Sequence, residues 1–222
     1  MILGLNKDYA IVPMTFPTID QTSTISSDIL SMKLFRHADI VIQVGPIGKA
    51  AAVTLNKSAA VAAATVSLAF TRYYSTGFIL EYDGASVDTP AAADETVTGA
   101  GAGVGYVYKD LGGKLVCYAY NGTTFVDNEV LTFSGGKTAV ANGIQKNEDI
   151  MVPRTASSNT FNLAAVASKQ YIIPLDAADL LDGYDCFQVE IADCDTATHV
   201  SIFAILSGLR YGGEIAETAL YD

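Results

Sequence analysis

Between Tyr184 and Leu206 the chain carries two β-patterned segments around a polar turn, and the second is apolar on both sides. In the first, Phe187, Val189 and Ile191 alternate with Cys186, Gln188 and Glu190, the two-residue period of a strand with one dry face. The turn is Asp193-Cys194-Asp195-Thr196-Ala197-Thr198. From His199 to Leu206, Val200, Ile202, Ala204 and Leu206 take one face, while Phe203 and Ile205 join Ser201 on the other. A strand apolar on both faces belongs in the middle of a sandwich or beneath a second layer. The stretch is expected to be a hairpin and the spine of a β-sandwich. It carries no catalytic signature.

Composition narrows the classes. Half of the 222 residues are hydrophobic and 17% are charged, which excludes general disorder. Abundant Ala, Val and Ile, with 19 Gly and 12 Tyr, suit strands and tight turns. A net charge of −11, with 13 Lys+Arg spread along the chain, argues against phosphate backbones and anionic lipid, so neither nucleic acid nor membrane is an expected partner. No apolar run approaches the ~18 residues of a membrane span. Met1 to Ile11 has no basic start or clear cleavage site and is not read as a signal peptide. The odd cysteine count (Cys117, Cys186, Cys194) points to free buried thiols, since a Cys186–Cys194 bridge needs both side chains on one face. Reduced thiols fit assembly inside a cell.

The chain divides by texture. Residues 1–27 read as an extended N-terminal arm, with Pro13 and Pro17 opposing helix, that covers its own core, reaches a neighbouring subunit or is a loosely attached terminus. Residues 28–76 and 159–213 supply the sandwich. Here Asp39–Val44, Ala51–Leu55 and Val66–Tyr74 read as strands, the last with Val66, Leu68 and Phe70 on one face. Asn56–Val61 reads as a loop or helical turn. Asp176–Gly183 can make one helical turn, with Asp176 as cap and Gly183 as stop. Residues 77–148 are rich in Gly, Thr, Asp and Tyr and hold an internal repeat. Asp94-Glu-Thr-Val-Thr-Gly-Ala-Gly lies on Asn128-Glu-Val-Leu-Thr-Phe-Ser-Gly, from Glu95 to Glu129 an offset of 34. Gly112-Gly113 and Asn121-Gly122 read as hairpin turns. Two copies are too few for a solenoid, so a small closed or half-closed barrel is expected. Residues 149–158 read as a linker and 214–222 as an acidic tail. The fold class is all-β, a jelly-roll-like β-sandwich with an inserted small β-barrel-like domain.

Chemistry-bearing candidates are few. Asp185, Asp193 and Asp195 fall short of the six to eight oxygens of a calcium site, and helix capping accounts for Asp176, Asp179 and Asp182. His37 and His199 flank strands without a nucleophile or further ligands nearby. Gly99-Ala-Gly-Ala-Gly-Val-Gly lacks the Gly-Lys-Ser/Thr ending and the following helix of a phosphate loop. No catalytic residue, cofactor or metal is assigned. The tyrosines at 73, 74, 106, 108, 118 and 120 alternate or pair along strands, which suits a subunit interface or stacking on sugar rings. The interface candidates are Tyr73, Tyr74, Tyr118, Tyr120, Arg210 and Tyr211.

Two parts of the chain resemble known proteins. Asp39-Ile-Val-Ile-Gln-Val with its Gly turn, Ala51–Leu55, Val66–Tyr74, Tyr171–Leu175, Leu181–Val189 and Ile205–Tyr211 resemble a group of tailed-bacteriophage virion proteins. The middle resembles a Gly/Thr-rich β repeat of phage structural proteins, Glu-Thr-Val-Thr-Gly before a Gly turn, with the second copy departing at Phe133 where the first has Gly99. Together these cover roughly two-thirds of the chain. The resemblance implies a non-enzymatic component of the virion, assembled in the host cytoplasm. The leading reading is a capsid decoration or cement protein that binds the major capsid protein and itself, as a homo-oligomer with a trimer as one option. A neck or tail component and a carbohydrate-binding module for host recognition are the alternatives.

Overall fold

The computed structural model describes residues 9–18, 23–84, 91–119, 123–146, 150–164, 169–195 and 198–210. These are nearly all β. In chain order the strands are β1 (Tyr9–Thr18), β2 (Ile25–Ser26), β3 (Leu30–Ser31), β4 (Phe35–Val44), β5 (Ala51–Ser58), β6 (Val66–Ser67), β7 (Arg72–Asp83), β8 (Thr96–Gly99) and β9 (Val104–Asp110). They continue with β10 (Lys114–Tyr118), β11 (Val130–Phe133), β12 (Thr138–Ala141), β13 (Met151–Thr155), β14 (Thr160–Leu163), β15 (Lys169–Asp176), β16 (Cys186–Ile191) and β17 (Val200–Leu209). A 3-10 turn, Ala177–Leu180, follows β15. The chain forms two compact units. One comprises residues up to Tyr73, Arg154–Leu163 and the chain from Gln170; the other is Tyr74–Pro153 with Ala164–Lys169.

The first unit is a sandwich. One sheet runs β1-β17-β4-β15 and the other β14-β5-β16-β2, with β3 also on β16 and β6 on β5. Alternation places Ile40 and Ile42 of β4, Ile202 and Ala204 of β17, and Ile173 and Leu175 of β15 in the same buried core as Val53 and Leu55 of β5 and Val189 and Ile191 of β16. β16 and β17 are therefore not the expected hairpin. β16 pairs with β5 and β17 with β1 and β4, so the segment between them arches from one sheet to the other. The reason is in the pattern itself. Both strands carry a strong apolar row, and crossing the sandwich lets the two rows face each other rather than lie side by side.

Local readings change for related reasons. Much of the expected arm is sheet: β1 runs antiparallel along β17, and β2 pairs with β16. β5 continues through Asn56–Ser58, read as a loop, because Lys57 has buried partners. Its ammonium donates to the Leu180 carbonyl at 2.9 Å and lies 4.5 Å from the centre of the Tyr184 ring, fastening the 3-10 turn. Val66–Tyr74 is not one strand. Val66 is exposed, while Leu68 and Phe70 are buried in a connection whose N–H groups donate to Leu55 and Ser158 carbonyls. The expected linker contains β13, whose Val152 is buried. The acidic tail lies outside the described residues.

The second unit is a closed ring of strands. β7 pairs with β10, then the order runs β9, β8, β11, β12, and β12 returns to β7. Closure leaves these short strands without a free edge inside the ring. Phe78, Leu80, Val107, Leu115, Phe125 and Leu131 fill it. Gly112 and Gly113 both take positive φ in the β9–β10 hairpin, the conformation a tight primed turn requires. Cys117 is buried here and its thiol is pushed up to about 12, chiefly by desolvation. All three cysteines are buried and none is in a disulfide.

The repeat organises this ring. Thr98 of β8 lies directly opposite Thr132 of β11, flanked by Val97↔Phe133 and Gly99↔Leu131. These pairs interchange under the 34-residue offset, so a pseudo-dyad passes between the two threonines. The hydrogen bonds obey it. Asp94 and Asn128 both adopt positive φ, and their N–H groups donate to Val107 and Ala141 carbonyls, again 34 apart. The Glu95 carboxylate accepts from Ala92 N–H at 2.9 Å within its own repeat and from Gly135 N–H at 2.7 Å in the other. Reciprocally, Glu129 accepts from Val126 N–H at 2.6 Å and Gly101 N–H at 3.0 Å. Both glutamates are buried. A Cβ at Gly99 would collide with Glu129, and one at Gly135 with Glu95. The two repeats thus lock by exchanging carboxylates across the dyad. Glu129→Ala is expected to lower unfolding free energy by about 2–4 kcal/mol in urea denaturation, from lost charge-assisted bonds and stranded N–H groups. Glu129→Gln, which still accepts a hydrogen bond, should lose less. Equal stability of all three proteins would refute the lock.

Candidate functional site

The sandwich sheet β1-β17-β4-β15 has a second apolar face. The registers place Pro13 beside Phe203 and Phe203 beside Val41; one row along, Ile11 meets Ile205 and Ile205 meets Asp39. Two side-chain bonds extend the rows onto β15. Gln43 Nε2 donates to Gln170 Oε1 at 3.4 Å, and His37 Nδ1 lies 2.7 Å from Asp176 Oδ1. Both fit one antiparallel register, which sets Ile172 beside Val41 and Pro174 beside Asp39. The result is an apolar stripe across four strands, bounded by glutamines at one end and by Tyr9, Ser207, His37 and Asp176 at the other. Pro13 is exposed, Val41 is buried, and Ile11, Phe203, Ile205, Ile172 and Pro174 are half-buried. With Val41 buried by the chain itself, the surface left open is Pro13 and the half-buried side chains around it, an apolar area with a polar rim as in a protein-binding patch.

His37 is the chemically distinctive member of the rim. Its other ring nitrogen lies 3.2 Å from Asp39 Oδ1. Asp179, in the adjacent 3-10 turn, accepts the Asp176 N–H at 2.9 Å and adds a third carboxylate to the neighbourhood. Burial pulls the imidazole down, but its bonds to Asp176 and Asp39 outweigh that and hold it above 6.5. Both nitrogens are occupied, so the ring is placed as an ion-pair centre rather than as a free base.

The residues named from sequence are placed differently. Tyr73 is stacked on Phe161 within the sandwich, ring centres 4.0 Å apart at 14°. Arg210 is half-buried and tied to β4 and its lead-in, its N–H to the Leu34 carbonyl at 2.9 Å and its Nε–H to Phe35 at 3.1 Å. Tyr74 is half-buried in the second unit. Tyr118 is buried there, with its hydroxyl on Asp94, so its ring offers no face to a partner. Tyr120 and Tyr211 lie outside the described residues. The stripe residues Ile11, Val41 and Ile172 were missed, although the unbroken run Ile40-Val41-Ile42 and the two-faced β17 carried the signal.

The remaining candidates are spoken for by the chain itself. Lys49 Nζ lies 3.0 Å from Asp193 and 3.8 Å from Asp195. Backbone and lysine bonds hold the Asp193 carboxyl below its usual range. Among the described residues no group of three or more His, Cys, Asp or Glu is placed to hold a metal ion, and no helix is long and apolar enough to cross a membrane. The glycine-rich turn after β8 is filled by Glu129. Compared with known proteins, the chain matches no family model and no curated protein.

The raised His37 fixes the sign of a pH effect. The tie contributes fully below the free imidazole value near 6.5 and fades as pH rises through the higher folded value. His37→Gln should therefore lower the melting temperature more at about pH 5.5 than at about pH 8.5. The loss should stay within about 1 kcal/mol for so exposed a pair. A destabilisation that grows with pH would contradict the assignment.

Proposed function

We propose that this chain is a non-enzymatic structural protein of a tailed-phage virion, a decoration or cement protein that binds and reinforces the head shell. The observation that carries this is the stripe on the outer face of β1-β17-β4-β15, an apolar patch with a polar rim on a sheet whose inner face already forms the core. The sequence resemblance supplies the occupant, the major capsid protein. Docking would bury Phe203, Ile205 and their neighbours, each half-buried apolar side chain adding roughly 1 kcal/mol or more as it leaves water. A shell presents many equivalent sites, so modest single contacts suffice when copies are joined in an oligomer. The net charge of −11 would keep free protein soluble until assembly.

Co-sedimentation with empty capsid shells tests the reading. Saturable binding at a copy number matching the lattice is expected, and Phe203→Asp should reduce it at least about tenfold with the sandwich still folded by circular dichroism. Failure of the wild-type protein to bind shells would remove the head assignment, and binding to isolated tails would replace it with the neck or tail alternative.

A further inference from the structure

The ring unit carries an aromatic platform that the shell-binding reading does not use. Tyr106 and Tyr108 alternate along β9 and are 39% and 37% exposed. Tyr118, opposite Tyr106 on β10, is buried. Its hydroxyl donates to Asp94 Oδ1 at 2.5 Å, and the Asp94 N–H is bonded to the Val107 carbonyl at 2.7 Å. The Tyr118 ring therefore starts on β10 and lies across β9 towards the lead-in of β8. Tyr106 stacks on it with centres 5.5 Å apart at 19°. One tyrosine is thus clamped at both ends, and it props a second whose ring is open to solvent. Thr96 pairs directly with Tyr106 from β8.

We propose that this platform is a binding subsite for a neutral oligosaccharide. A pyranose presents a C–H face that packs on an aromatic ring and equatorial hydroxyls that need acceptors and donors at the ring's margin. Tyr106 supplies the ring, already held by Tyr118, so little side-chain freedom is lost on binding. Thr96 and the Asp94 carboxylate supply polar groups beside it. The carboxylate accepts from hydroxyls and repels uronic or sialic acids, which selects uncharged sugars. Single-site affinity would be weak and gain from repetition of the chain on a surface. The site belongs to the ring unit, so it stands or falls independently of shell binding by the sandwich.

The test is isothermal titration calorimetry of the full chain with cellohexaose, chitohexaose and mannohexaose, and with an oligoglucuronate as the acidic comparison. At least one neutral probe should bind saturably. Tyr106→Ala should weaken it at least about tenfold, the equivalent of one stacked ring. Tyr106→Phe, which keeps the ring, should stay within about threefold, and Val66→Ala, at an exposed position of the sandwich outside the stripe, should bind unchanged. Tyr108→Ala provides a second loss variant should Tyr106→Ala misfold. Absence of binding by every neutral probe, binding indifferent to Tyr106→Ala and Tyr108→Ala, or equal binding of the oligoglucuronate would each overturn the proposal.

Discussion

A strand has one hydrogen-bond ladder but two faces, and in β17 both faces are apolar. Its inner row, Val200 to Leu206, can be dry only if another apolar row comes down on it. That demand sends β16 across to the opposite sheet, because a hairpin would have put the two strongest rows side by side on one surface. Its outer row, Phe203 and Ile205, is then left on the far side of the sheet. Neighbours respond by lining up: Pro13 and Ile11 on β1, Val41 on β4 and Ile172 on β15 extend the same surface. The stripe, its polar margins and the ion pair at His37 all follow from where β17 had to be placed.

The second unit solves a different problem by a different force. Its strands are short, several of them four residues, so each adds few inward side chains to the core that Phe78, Phe125 and Phe133 fill. Apolar burial is non-directional and does not by itself choose between neighbouring registers. Two buried carboxylates, each accepting from both halves, make the pairing directional and admit one register. The sandwich is specified by burial, whereas the ring is specified by a polar network around a dyad. The same network explains the glycines, since the turns that receive the carboxylates have no room for a Cβ.

What could be read from sequence was whatever is local. The repeat was visible because its elements, an acidic residue after a residue in the left-handed conformation and a Gly turn after a four-residue strand, sit within eight residues of one another. The Gly112-Gly113 hairpin was visible for the same reason. Partner choice was not visible, because it depends on contacts far apart in the chain. Nothing near Cys186 says that β16 belongs with β5 rather than β17. Tyr118 obeys outward alternation, yet it is buried because a distant Asp94 captures its hydroxyl. Lys57 looks like a loop residue until the Leu180 carbonyl and the Tyr184 ring are brought to it.

The chain enters the ring along β7 and leaves it along β13, and these strands are paired, with Gly77 N–H donating to the Ile150 carbonyl at 2.7 Å. The two ends of the insert are therefore neighbours. The chain entropy lost in closing a segment between neighbours rises only slowly with the segment's length. Turns within the ring can accordingly change length at a modest entropic cost. The pairing of β7 with β13 thus closes the segment at its base, whatever happens to the turns within it.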